Sequence, residues 1–189
     1  MNYFKIRSNF MRLVFAIFLV ACCNFTFATE VEPNDETPQV ISFSETIVGQ
    51  LSSITDVDKF SVVASTAGTI TLSFSSDESS GDEWDVQLLD SSNNVLSSTV
   101  CGFSDCKSGI SVPVGIASPG TYTVNVKSNG TYNDSYLPEG LYRLTATYST
   151  QMSGVEIEIN DVSPQSIDFG ETIVGQLSSI TDVDKFSVV

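Results

Sequence analysis

Residues 69–75 read "TITLSFS", and this stretch decides the fold class. Successive side chains of an extended strand point to opposite faces, so Ile70, Leu72 and Phe74 share one face while Thr69, Thr71 and Ser73 share the other. A strand with one apolar and one polar face suits an antiparallel sheet that is packed on one side and wetted on the other. Short runs of the same kind, separated by turn residues, extend in both directions. They are "VISF" (40–43), "TIVGQL" (46–51), "KFSVVA" (59–64), "WDVQLLD" (84–90), "NVLSST" (94–99), "ISVPVGI" (110–116), "TYTVNVK" (121–127) and "LYRLTATY" (141–148). With no convincing helical period anywhere, these runs predict an all-β chain, an antiparallel β-sandwich of jelly-roll-like character.

The chain also repeats itself. "ETIVGQLSSITDVDKFSVV" occupies 45–63 and recurs without a substitution at 171–189. A shift of 126 aligns Glu30 to Val63 with Glu156 to Val189 without a gap, a unit far longer than the roughly 20 to 50 residues of solenoid repeats. The chain therefore divides into a leader at 1–28, one complete sandwich at 30–150 and the truncated start of a second copy at 156–189. That second copy holds the first three strands without the strands that would face them, so Glu171 to Val189 are expected to fray or to pair with an edge of the first sandwich.

The leader carries Lys5, Arg7 and Arg12, then an apolar run from Leu13 to Cys23 that is short for a bilayer span and suited to an export signal. Two exits compete. Thr26-Phe27-Ala28 offers a signal-peptidase site with a mature start at Thr29, whereas "LVAC" at 19–22 resembles a lipobox and would make Cys22 a lipid-anchored N-terminus. Either way the mature form is expected outside the cytoplasm, secreted or anchored, with no membrane span.

Export gives the cysteines their meaning. Cys22 and Cys23 lie in the leader, leaving Cys101 and Cys106 of "CGFSDC" to close a small disulfide loop. All 23 acidic residues follow the leader while three of the 8 basic ones lie within it, so the remainder is more acidic than the whole-chain charge of −15. Nucleic acid and anionic lipid are poor partners for such a surface. With no histidine in the chain, Ser-His-Asp and Cys-His catalysis are absent from the inventory.

Two acidic segments stand out. "EVEPND" at 30–35 sets Glu30, Glu32 and Asn34 on one face of an extended segment with Asp35 adjacent, and "TDVDKF" sets Asp56 and Asp58 two apart before a strand. If the first segment lies beside that turn, the six side chains form an all-oxygen set with net negative charge, which selects Ca²⁺ over zinc or copper. The second copy repeats the set as Glu156, Glu158, Asn160, Asp161, Asp182 and Asp184, with Ile159 in place of the proline. A further stretch, "SDESSGDEWD" at 76–85, could supply paired carboxylates for glycoside hydrolysis, but solvated loop acids lack the apolar pocket that raises an acid's pKa. Tyr132 and Tyr136, in a polar loop, are candidate ligand-surface residues.

Taken in order, "EPND" (Glu32 to Asp35), Gly49 with Leu51, Asp56 to Phe60, "WDVQLLD" (Trp84 to Asp90), Gly120 to Val126 and Gly140 to Leu144 resemble the bacterial pre-peptidase C-terminal domain. This is a β-sandwich module appended to secreted peptidases and related to the collagen-binding domains of clostridial collagenases. The resemblance implies calcium held by the acidic linker and the D-x-D turn, carried here by Glu30, Glu32, Asn34, Asp35 and Asp58. Thr55 stands where those relatives often have another aspartate, a place Asp56 could fill.

The expected function is thus a non-catalytic, extracytoplasmic accessory or binding module, with calcium as its cofactor. Its partner would be an extracellular protein or polysaccharide polymer, or a peptidase domain in a longer chain. The alternative is a calcium-rigidified, adhesin-like tandem repeat, and a glycoside hydrolase using the loop carboxylates is the third reading.

Overall fold

The computed structural model describes residues 27–77, 83–129, 137–138, 140–152, 154–158, 160, 163–178 and 182–189. Two sheets face each other across a single apolar core. One has the strand order β1 (Phe27–Thr29), β3 (Thr46–Gly49), β10 (Tyr142–Ser149), β5 (Gly68–Ser76), β8 (Ile110–Ile116), β11 (Ile157–Glu158). The other runs β2 (Gln39–Val40), β4 (Val57–Ala64), β9 (Gly120–Ser128), β6 (Trp84–Leu89), β7 (Val95–Cys101). Eight of the nine runs read from the sequence form the body of a strand, whereas of "VISF" only Val40 does, in the two-residue β2. The central pairs are antiparallel, but β1 with β3, β2 with β4 and β11 with β8 are parallel, so both sheets are mixed rather than purely antiparallel.

The alternation does what the period of two requires. Ile70, Leu72 and Phe74 of β5 point inward, and β10 sets Tyr148, Ala146 and Leu144 opposite them. In the facing sheet, Phe60 and Val62 of β4 lie opposite Val124 and Tyr122 of β9. Asp58 belongs to the same inward row of β4, two residues before Phe60, and is therefore fully buried at the end of the core. Phe74, Trp84 and Tyr142 form an aromatic cluster there, with ring centroids 5.4 to 5.7 Å apart.

Among the described residues one helix departs from the all-strand expectation: α1 (Phe103–Ser108) follows β7 and packs against β5. Cys101 ends β7, Cys106 lies in α1, and the two are disulfide-bonded with both sulfurs in the buried core. Closing a ring this short contributes about 2 kcal/mol in the chain-entropy account.

The second copy is not frayed where it is described. β12 (Gln165–Ile167) pairs with β13 (Phe186–Val188) in the register that β2 keeps with β4, and Val155 bridges Val174 as Thr29 pairs with Val48. Burial separates the copies. Leu51 is 1% exposed and its equivalent Leu177 58%, while Phe60 is 0% exposed and Phe186 40%. Local hydrogen bonding is reproduced by the repeated residues, whereas Leu51 and Phe60 are buried by the strands that face them in the first copy.

Candidate metal centre

The lead-in segment 30–35 is fixed by the strands beside it. Glu30 follows β1, and its amide donates to Val48 O at 3.0 Å. Its carboxylate accepts from the Gln50 amide at 3.0 Å and from Asn34 Nδ2 at 2.9 Å. Asn34, buried, also accepts the Lys59 amide at 3.0 Å through Oδ1, while its own amide donates to Glu32 Oε2 at 2.9 Å. Both ends of the Asn34 amide are thus committed to tying the lead-in segment to β4. Asn34 thereby positions the carboxylates around it, and its Oδ1, which accepts one hydrogen bond, keeps a second lone pair.

The two acidic segments meet. Glu30, Glu32 and Asp58 each offer a carboxylate oxygen within 4.8 Å of the others, and Glu32, Asp35 and Asp56 form a second such group sharing Glu32. Asp56, buried, caps the turn before β4 by accepting the Ser52 amide, and Asp35 accepts the Val57 amide at 3.3 Å. Of all these groups Asp58 is the most constrained: Oδ2 accepts from the Tyr142 hydroxyl at 2.6 Å, and Oδ1 has no hydrogen-bond partner.

Burial above all, and then the neighbouring Glu30, pushes the Asp58 carboxyl up to about 10. Ionising Asp58 would add a second negative charge beside Glu30 in a buried site. Tyr142, opposed by the same burial and by the charge of Asp58, is shifted well above the ordinary phenol range. Glu32 is raised too, chiefly by burial. A divalent cation would supply what this arrangement lacks: a positive charge among crowded oxygens and a partner for Asp58 Oδ1.

Two members of the site were not singled out from the sequence as site residues. Tyr142 arrives from β10, more than eighty residues after Asp58. A side chain at Gly49 would collide with the Tyr142 hydroxyl and Glu30 Oε2, so the glycine of the G-x-L pair is what lets them approach.

In the second copy Glu156, Glu158 and Asp184 form the matching group. Asn160 Nδ2 donates to Glu156 Oε1 at 2.7 Å and its Oδ1 accepts the Lys185 amide at 2.9 Å. Asp182 accepts the Ser178 amide, as Asp56 does that of Ser52. Burial first, then Asp182, pushes Glu158 up to about 7. Asp161 lies outside the described residues, as do Tyr132, Tyr136 and residues 1–26 of the leader, Cys22 among them.

The stretch 76–85 gives no paired carboxylates among its described residues. Asp77 pairs with Arg143 at 2.8 Å, Glu83 accepts from Asn129 at 2.7 Å, and Asp85 accepts from Ser98 at 2.8 Å and faces Lys127 at 3.4 Å. Each acid serves a different structural partner. Glu78 and Asp82 lie outside the described residues.

Residues 56–128 match the family model of the bacterial pre-peptidase C-terminal domain, and over that range the resemblance read from the motifs is shown. The range opens at Asp56 and Asp58; the lead-in carboxylates precede it. Among solved structures, the pre-peptidase C-terminal domain of a collagenase from Bacillus anthracis is 20% identical, with 58% of this chain and 94% of that chain covered and a TM-score of 0.45. A Podospora anserina GH26-CBM35 β-(1,4)-mannanase is 19% identical over 60% of this chain and 24% of its own, with a TM-score of 0.32. No curated protein matches the chain.

Proposed function

We propose that residues 30–150 act as a non-catalytic accessory or binding module of a secreted protein, stabilised by Ca²⁺ at its lead-in segment. The observation that carries the calcium reading is the fully buried Asp58, which has one unpartnered oxygen and sets a carboxylate oxygen within 4.8 Å of those of Glu30 and Glu32. An all-oxygen donor set of Glu30, Glu32, Asp35, Asp56 and Asp58, positioned by Asn34, suits a hard cation that tolerates irregular coordination. Bound calcium would neutralise the cluster and pin the lead-in segment to β4. The second-copy residues Glu156, Glu158 and Asp184, with Asp182 and the lead-in's Asp161, are proposed as an incomplete counterpart.

The module reading is supported by the family match over 56–128 and by the separate structural partners of the described acids at 76–85. Extracytoplasmic location is proposed on the leader and the disulfide between Cys101 and Cys106. No helix among the described residues is long and apolar enough to cross a membrane. The partner is proposed to be an extracellular protein or polysaccharide polymer, or a peptidase domain in a longer chain. Retention of the full chain on insoluble collagen or chitin, measured in calcium and in EDTA, tests the binding role. Calcium-dependent retention on one polymer is expected, and none on any of them contradicts it.

A second reading, a tandem-repeat spacer rigidified by calcium, is favoured by one observation: the second copy repeats the hydrogen-bonded frame of the first and lies against its edge.

A further inference from the structure

The second copy does not merely fold beside the first; it fills a gap. β7 and β8 are neighbouring edges of the two facing sheets, and the described part of the second copy lies across both. Ile157 and Glu158 extend the sheet by pairing with Gly115 and Ile116, and the Gly115 amide donates to Glu156 O at 3.0 Å. On the β7 side, Gln176 accepts from the hydroxyls of Ser97 and Thr99 at 3.1 and 3.0 Å and donates to Ser98 O at 2.6 Å. Gly115 is shaped for this occupant: the atoms nearest to a Cβ placed there all belong to Glu156 and Ile157.

The same donor exists at the head of the chain. Glu30, Val31, Glu32 and Gln50 stand where the tail has Glu156, Ile157, Glu158 and Gln176. Their local frame is the same bond for bond. Gln50 and Gln176 donate their amides to Glu30 and Glu156 at 3.0 and 2.9 Å, and Val31 and Ile157 donate theirs to Gln39 and Gln165 at 2.8 Å each. Yet Val31 is 64% exposed and Gln50 is exposed.

We propose that the β7–β8 edge is a docking site for the lead-in segment of this module, and that the head of one chain, Glu30 to Gln50, seats on that edge of a second copy of the chain. In the single chain the tethered tail holds the edge, because a short connection gives it an effective concentration in roughly the millimolar range. The head seats when the tail leaves. The donor and the receiving edge are different surfaces, so the contact is heterologous and repeats head to tail from chain to chain. Modules in tandem would be joined in one fixed geometry by the same contact. The inference is independent of calcium.

The test uses the full chain with its tail released by Gly175→Val and Gln176→Ala. The valine collides with Glu156, and the head's own Gly49 and Gln50 are untouched. In EDTA, light scattering should find the parent chain monomeric and the released variant forming dimers and larger species. Adding Gln50→Ala or Gly115→Val, or an excess of a synthetic peptide of residues 154–178, should return it to monomer. The buried Trp84 reports by its fluorescence that the sandwich is intact. A released variant that stays monomeric with Trp84 buried overturns the proposal, as does assembly that Gln50→Ala and Gly115→Val leave unchanged. Should the released variant unfold, cysteine trapping decides in the native-tail background. Gln50→Cys chains mixed with Ser97→Cys chains should cross-link between chains faster than Val40→Cys chains with the same partner, and equal rates overturn the proposal.

Discussion

The Tyr142 hydroxyl donates a 2.6 Å hydrogen bond to Asp58 Oδ2, and so links the aromatic centre of the core to the buried carboxylate of the candidate metal centre. Tyr142 stacks on Phe74 and meets Trp84 edge-on, which leaves its ring little freedom. Its hydroxyl favours the ionised form of Asp58, the form a cation needs.

Tyr142→Phe keeps the packing and removes that donor. Loss of a buried hydrogen bond to a charged partner costs on the order of 1.5 to 3 kcal/mol, so denaturant unfolding in calcium should show a loss in this range. Calcium affinity measured by calorimetry should fall as well. Unchanged affinity would mean that Asp58 is not a ligand.

The raised pKa of Asp58 sets a direction for pH dependence in EDTA. A carboxyl near 3.8 when unfolded and near 10 when folded keeps a proton in the native state that the unfolded chain has lost. Its contribution to stability is fully present below about pH 4 and is lost as pH rises towards 10, at no more than about 1.4 kcal/mol per pH unit. Unfolding of the metal-free protein at pH 5 and pH 9 should therefore show lower stability at pH 9. Asp58→Asn, which keeps the shape without the proton, should flatten the difference.

Gly49→Ala and Gly175→Ala test how far identical residues differ by context. The first places a methyl against Tyr142 and Glu30, the second against Glu156 alone. Overpacking of this kind costs typically 1 to 3 kcal/mol. The melting temperature of the sandwich, followed by Trp84 fluorescence, should fall for Gly49→Ala and stay nearly unchanged for Gly175→Ala.

The disulfide is testable without any assumption about ligands. Alkylation of the unreduced protein should leave Cys101 and Cys106 unlabelled, and replacing both with Ser should lower stability by about 2 kcal/mol in denaturant.

Strand content was legible in the sequence because a period of two survives in any single strand: "TITLSFS" alone shows which residues of β5 enter the core. Strand direction was not, because alternation looks the same in parallel and antiparallel pairs, and the parallel edges at β1, β2 and β11 follow from chain path. The six-residue helix α1, inside a disulfide-closed loop, is too short to show a period of its own. β1 spans the junction between Ala28 and Thr29 where a signal-peptidase site is expected, since an apolar leader end and a short edge strand have the same composition.

At the site, the acids of 30–35 and the D-x-D turn could be brought together on paper because both precede strands close in sequence. Tyr142 could not, since a strand at the far end of the domain delivers it. The second copy shows the same division. Its frame rests on hydrogen bonds spanning at most 25 residues, all between residues of the aligned stretch 156–189. Burial of Leu177 and Phe186 would need strands that come later in a full unit.

The melting temperature of the full chain in EDTA, in calcium and in magnesium decides whether Asp58 and its neighbours hold calcium. Ca²⁺ held by the folded state alone, at about a hundred times its Kd, adds roughly 2.7 kcal/mol. The melting temperature should then rise by several degrees in calcium. It should rise much less in magnesium, which demands a tight octahedron and sheds water reluctantly. In the double variant Glu32→Gln, Asp58→Asn the calcium response should vanish while metal-free stability rises slightly. Coincident melting curves in EDTA and millimolar calcium would contradict the account, leaving the lead-in segment as an acidic prelude to a metal-free sandwich.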